Sequence, residues 1–139
     1  MNLYKSIYTA NKTPVHVSDK MTGKMELIPA ISTSVALNPI CAERAKNPDS
    51  ICHECFAVAT VNRYTNLAKN LEENTATLTG SILPAELLPK FKVGVQLVRF
   101  EAFGDLNNTT QVFNYFNIAA NNPHCSFALW TKNPHIIAA

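Results

Sequence analysis

No run of apolar residues in this chain approaches the roughly 20 that a membrane-crossing helix requires, and residues 1–13 contain no apolar stretch of the kind that directs export. The expectation is a soluble, unexported, cytoplasmic protein with no membrane partner. An excess of one charge is also missing. Twelve basic side chains against ten acidic give a formal charge of +2, too small a surplus for the electrostatic footprint of nucleic-acid binding. Charged residues are only 16% of the chain, yet 47% are hydrophobic, which supplies a core and excludes intrinsic disorder. Cysteine is scarce, with four in 139 residues. In an unexported chain these serve as thiols or metal ligands rather than as a disulfide framework. There is no internal repeat and no low-complexity tract. This length predicts one domain, with residues 1–24 as an N-terminal extension and 25–139 as its body. Asparagine alone is in excess, at 15 residues, which reads as compositional bias.

Along the chain, the alternation at Val15-His16-Val17 predicts a pair of short N-terminal strands. Met25 to Ile31 predicts a further strand with Pro29 at its end, and Ser32 to Ser50 reads as a loop. From Cys55 to about Thr79, Ala57, Val61, Tyr64, Ala68 and Leu71 recur in steps of four and three, the stripe of a long helix. Gly80, Pro84 and Pro89 end it. Lys92 to Glu101 is a β-rich run dense enough for a buried strand, closed by a turn at Phe103-Gly104-Asp105. Asn108-Thr109-Thr110 can then cap a helix carrying Val112, Phe113, Phe116, Ile118 and Ala119. Ser126 to Thr131 forms the next strand, and another helix starts at His135. Strand, helix, strand is the unit of a parallel sheet. The fold class is therefore α/β, a small parallel sheet of βα units resembling part of a (β/α) barrel.

Cys41, Cys52 and Cys55 stand in C-x10-C-x2-C spacing. Two thiolates two residues apart can grip one metal ion or one cluster iron, because the intervening turn aims both sulfurs at a common point. Structural zinc wants four closed ligands, and only one such pair exists here. Cys125 begins the last strand, whereas the cysteine loop follows the first, so in a parallel sheet the two belong at opposite ends and Cys125 reads as a core thiol. Three cysteines with an open corner suit a 4Fe-4S cluster whose fourth iron takes water, another side chain or a substrate.

The segments Cys52-His-Glu-Cys55-Phe-Ala57, Arg63-Tyr-Thr-Asn66-Leu67, Val98-Arg-Phe-Glu-Ala-Phe-Gly-Asp105 and Phe127-Ala-Leu-Trp-Thr-Lys-Asn133 resemble the phage and plasmid "gene product 88" domain family. The resemblance spans about residues 25–135. It implies an iron–sulfur protein with a partial barrel of the radical S-adenosylmethionine type, and a host-cell cytoplasmic location for a phage-encoded chain. By position, Cys41, Cys52 and Cys55 match the family's cysteines, and Arg99, Gly104 and Asp105 its strand-end motif. Phe56 replaces the usual Tyr. The spacing also departs from the C-x3-C-x2-C of most radical enzymes, and no Gly-Gly-Glu segment follows Glu101 among only four glycines. S-adenosylmethionine is thus a doubtful cofactor.

Ligands of open parallel sheets and barrels bind at the carboxyl ends of strands. Arg99, Glu101, Asp105 and Lys132 fall there, on the edge that carries the cysteine loop. Glu101 or Asp105 can approach an open iron or bind a substrate amine, and Lys132 can balance cluster charge. Equally, Asp105 can cap a turn while Arg99 pairs with Glu101 or Asp105. Asn62, Asn66, Asn70 and Asn74 share one helix face, which reads as a solvated surface. Three functions follow from these residues: an iron–sulfur redox or electron-transfer protein with a redox partner, a radical enzyme, or a zinc-stapled binding module. A sheet this small has exposed edges and little helix cover, so self-association into a homo-oligomer is expected.

Overall fold

A computed structural model describes residues 8–18, 28–55 and 63–138. The fold is α/β. Three strands, β1 (Ala30–Ile31), β2 (Leu97–Phe100) and β3 (Ser126–Leu129), form one all-parallel sheet in the order β1-β2-β3, with β2 central. Ala30 is in register with Arg99, and Leu97 to Phe100 pair with Ser126 to Leu129. Four helices are present among the described residues: α1 (Pro39–Ala45), α2 (Thr65–Gly80), α3 (Thr109–Ala120) and α4 (Pro134–Ala138). Short 3-10 turns occupy Ile51–Glu54 and Ala85–Leu87.

α3 starts where the sequence places it, because the Asn108 side chain accepts from the Gln111 N–H and satisfies one of the unpaired donors of the first turn. Its buried face is different from the expected one. Gln111, Val112, Asn114, Tyr115 and Ile118 are buried, while Phe113 and Phe116 face outward. The polar pair Gln111 and Asn114 is turned inward because both side chains engage buried partners, which rotates the two phenylalanines out. α2 begins at Thr65 and is shorter than predicted; residues 56–62 of the expected helix lie outside the described residues. Its buried stripe is Leu71, Asn74, Thr75 and Leu78, so of the described members of the predicted stripe, Tyr64, Ala68 and Leu71, Leu71 alone is buried.

Three further expectations change. The loop from Ser32 to Ser50 contains α1, whose start is marked by Asn38 as cap and Pro39 in the first turn. Pro29 precedes β1 rather than ending it, and its carbonyl accepts from the Arg99 N–H at 3.0 Å; Met25 to Leu27 lie outside the described residues. β2 is limited to four residues because Val93-Gly94 form a turn. At the N-terminus, isolated antiparallel bridges at Thr9–Phe91 and Ser18–Ala30 stand where short strands are expected. That segment is pinned instead by side chains, Asn11 Nδ2 donating to the Leu88 carbonyl at 2.9 Å and Thr13 Oγ1 to that of Leu87 at 2.6 Å.

The core lies between one sheet face and α2, α3 and α4. Val98 and Phe100 point into it from β2, with Phe100 stacked on Tyr115 at 4.1 Å and on Phe127 at 5.2 Å between ring centroids. Because successive strand residues alternate between faces, Leu97 and Arg99 point the other way; Leu97 is exposed and Arg99 half-buried. Among the described residues no helix is long and apolar enough to cross a membrane.

Candidate functional site at the carboxyl ends of the strands

All three strands run to one edge, and the segments leaving them surround a cleft of about 410 Å³. The segment after β1 is set by Asn38. Its amide donates to the carbonyls of Asp105 and Leu106 at 3.0 and 3.1 Å, while its oxygen accepts from the N–H groups of Ile40 and Cys41. One side chain thus fixes the start of α1 to the turn after β2. One helical turn apart on α1, Cys41 and Arg44 both line the cleft, and Arg44 Nη2 donates to the Lys132 carbonyl at 2.8 Å. The 3-10 turn Ile51–Glu54 packs against α1, tied by His53 Nδ1 donating to the Ala45 carbonyl at 2.9 Å. This contact brings Cys55 to the cleft wall. Cys52 belongs to the same turn; its side chain lies outside the described set.

Glu101 directly follows β2 and adopts the left-handed backbone conformation, φ 62°, which is costly for a residue with a Cβ. The cost is offset by what the turn delivers: a buried carboxylate that accepts from Thr33 N at 3.2 Å, Thr33 Oγ1 at 2.8 Å, Gln111 Nε2 at 2.8 Å and the Tyr115 hydroxyl. Burial pushes the Glu101 carboxyl up to about 7, against the lowering effect of those hydrogen bonds, with Asp105 adding to the rise. Burial and the neighbouring Glu101 push the Tyr115 hydroxyl well above its usual range. Gly104 closes this turn because a Cβ there would stand 2.7 Å from Glu101 Oε2 and against the Thr33 carbonyl. Asp105 is likewise turned inward. Its Oδ1 accepts from Thr131 Oγ1 at 2.5 Å and Leu106 N at 2.8 Å, and its Oδ2 from Lys132 N at 3.0 Å.

Of the sequence-predicted site residues, Cys41, Cys55, Arg99, Glu101, Asp105 and Lys132 all line this one cleft. Nothing matches the chain among family models, curated proteins or solved structures. The chemistry is therefore read from the geometry alone. Of the two readings of the charged residues, the turn-capping one describes Asp105, which accepts from Leu106 N; Glu101 engages the fold rather than the open side, and Arg99 pairs with neither. The ion pairs among the described residues are His16–Glu73 and Lys46–Glu43. Cys125 lies before β3, at the opposite end of the sheet, where its Sγ donates to the Val95 carbonyl at 3.1 Å and burial raises its thiol pKa.

Among the described side chains no three His, Cys, Asp or Glu converge as a metal-ligating group. Sulfur reaches the cleft from two chain segments, at Cys41 and Cys55, while both carboxylates there are hydrogen-bonded to the fold. Soft thiolate donors beside cationic side chains suit iron–sulfur clusters. The sequence reading does not find Thr33, Gln111 and Tyr115 as the set that holds Glu101, Arg44 as a cleft residue, or Trp130, which is 83% exposed on the cleft rim. The spacing of Arg44 from Cys41, three residues on one helix, carries that signal once α1 is recognised.

Proposed function

We propose that this chain is an iron–sulfur protein in which Cys41, Cys52 and Cys55 hold a 4Fe-4S cluster at the carboxyl edge of the sheet, serving redox or electron-transfer chemistry of the kind expected from the "gene product 88" resemblance. The observation that carries this reading is that Cys41 on α1 and Cys55 beyond the 3-10 turn line the same cleft. The reading is further supported by charge. A cluster held by three thiolates is anionic, and Arg44 and Lys132 line the cleft beside it, where nearby cations raise its affinity for electrons. The carboxylates of Glu101 and Asp105 are hydrogen-bonded to the fold, which supports the thiols as the residues that would hold such a cluster.

Protein purified without oxygen is expected to be brown, with iron and acid-labile sulfide in equal amounts and a broad visible absorption. Cys55→Ser should lose most of both while its far-ultraviolet circular dichroism stays near that of the unmodified chain. A colourless protein carrying one equivalent of zinc would overturn the proposal in favour of a zinc-stapled module.

A further inference from the structure

The cleft also presents a cation that no described residue engages. Arg99 stands on the central strand β2, half-buried, and its guanidinium makes no hydrogen bond or ion pair among the described residues. A guanidinium carries five N–H donors and no acceptor. None of its nitrogens is buried without a partner, so the donors are open to an incoming anion on the cleft side. The nearby carboxylates do not supply one, since those of Glu101 and Asp105 are directed into hydrogen bonds on the inner side.

The surface beside Arg99 indicates what else the ligand carries. Arg99 is in register with Ala128, and Trp130, two residues further along, belongs to the same face of the sheet. Its indole is almost fully exposed, and Arg99 and Trp130 together line both the main cleft and the smaller pocket that adjoins it on the open sheet face. Val35, Ala102 and Phe103 add apolar surface to the wall. A volume of about 410 Å³ lies in the range of small-molecule sites.

The geometry points to this cleft as a binding site for a small anion, a carboxylate or phosphate monoester, carried on a flat apolar body, with Arg99 holding the anion and the Trp130 indole stacking the body. Arginine suits both anions through its planar pair of donors, and an indole face suits any flat ring. The assignment goes beyond the iron–sulfur reading and does not need it, because neither Arg99 nor Trp130 is a proposed cluster ligand.

Trp130 is the only tryptophan in the chain, so its fluorescence reports on this cleft. The purified full-length protein is titrated with phenyl phosphate, phenylacetate, phenylacetamide and inorganic phosphate. A saturable fluorescence change is expected with one or both aromatic anions, and which of them responds identifies the anion. Phenylacetamide, lacking charge, and inorganic phosphate, lacking a ring, should each bind more weakly by about tenfold. Arg99→Gln should weaken the aromatic anion by about tenfold as well, the loss expected of one charge-assisted hydrogen bond. No saturable change with either aromatic anion, an equal response to phenylacetamide, or a folded Arg99→Gln variant that binds as before would each overturn the assignment. The comparison with phenylacetamide uses the unmodified protein and stands even if the variant does not fold. Iron is measured in the same samples. Iron-free protein that still shows the Arg99-dependent change sinks the cluster reading alone; iron-loaded protein with no change sinks the anion site alone.

Discussion

Polar side chains crowd two regions of this molecule, the cleft at the carboxyl ends of the strands and the layer between sheet and helices, and they behave in opposite ways. In the cleft, Arg99 and Cys55 are half-buried along the wall. In the interior, Asn74, Asn114 and Asn122 are wholly buried and each is engaged on both sides of its amide. Asn74 accepts from His16 N at 2.7 Å and donates to the carbonyls of His16 and Ser32, both at 2.9 Å. Asn114 accepts from Leu83 N and donates to Leu78 and Ser81. Asn122 accepts from Phe91 N and donates to Pro89 and Ile118. The reason lies in the shortness of the strands. With two to four residues each, the sheet pairs few backbone groups, and the buried loop backbone needs partners from elsewhere. Among the described residues Asn133 Oδ1 is the one buried side-chain polar atom without a partner. Side chains in the interior thus complete the backbone, whereas Arg99 in the cleft makes no hydrogen bond or ion pair among the described residues.

The contrast is broken most severely at Asn74. Asn74→Ala strands three buried backbone groups, and with each unsatisfied group costing roughly 1–3 kcal/mol, a destabilisation of about 4 kcal/mol is expected. Urea unfolding followed by circular dichroism should show the midpoint falling sharply with the slope unchanged. A loss under about 1 kcal/mol would mean that water replaces the amide and that the interior is no drier than the cleft.

Glu101 joins the two regions, lining the cleft yet engaged like an interior residue. Its folded pKa of about 7 lies above the ordinary 4.5, so the native state binds this proton more tightly than the unfolded chain does. That contribution to stability is fully present below about pH 4.5 and is lost as pH rises through 7. A rise from 4.5 to about 7 corresponds to about 3 kcal/mol across that window. Glu101→Gln removes the titrating group, and the difference in unfolding free energy between variant and parent should drift by about that amount between pH 4.5 and 8 in favour of the variant. A parallel pair of stability curves would show that Glu101 ionises as freely as a surface carboxylate.

The parts of this arrangement that the sequence reveals are those set by local chemistry. The Asn108 cap announces α3, and the dense runs around Val98 and Phe127 announce parallel strands. The carboxyl ends of such strands, where ligands bind, bring Cys41, Cys55, Arg99, Glu101, Asp105 and Lys132 to one edge on strand order alone. The hydrogen-bonding state of those residues is not legible, because it depends on distant partners: Glu101 is turned inward by Thr33, Gln111 and Tyr115 from two other segments. The same long-range bonding defeats apolar periodicity on α3, where burying Gln111 and Asn114 exposes Phe113 and Phe116. α1, by contrast, is readable from Asn38-Pro39 and is obscured only by its brevity.

The smallest effect gives the finest test of the comparison, because it uses the same residue type on the same helix. Asn66, Asn70 and Asn74 recur every fourth residue on α2, but at 3.6 residues per turn each step of four rotates the side chain by about 40°. The first two are exposed and the third is buried. Asn70 makes no contact that the fold depends on, and asparagine is a poorer helix former than alanine by roughly 0.6 kcal/mol. Asn70→Ala should therefore stabilise the protein by about half a kcal/mol, a small rise in the thermal midpoint, where the same change at Asn74 destabilises it by about 4 kcal/mol. A matched destabilisation at both positions would mean that Asn70, too, holds a partner, and that the polar face of α2 is an extension of the interior rather than a solvated surface.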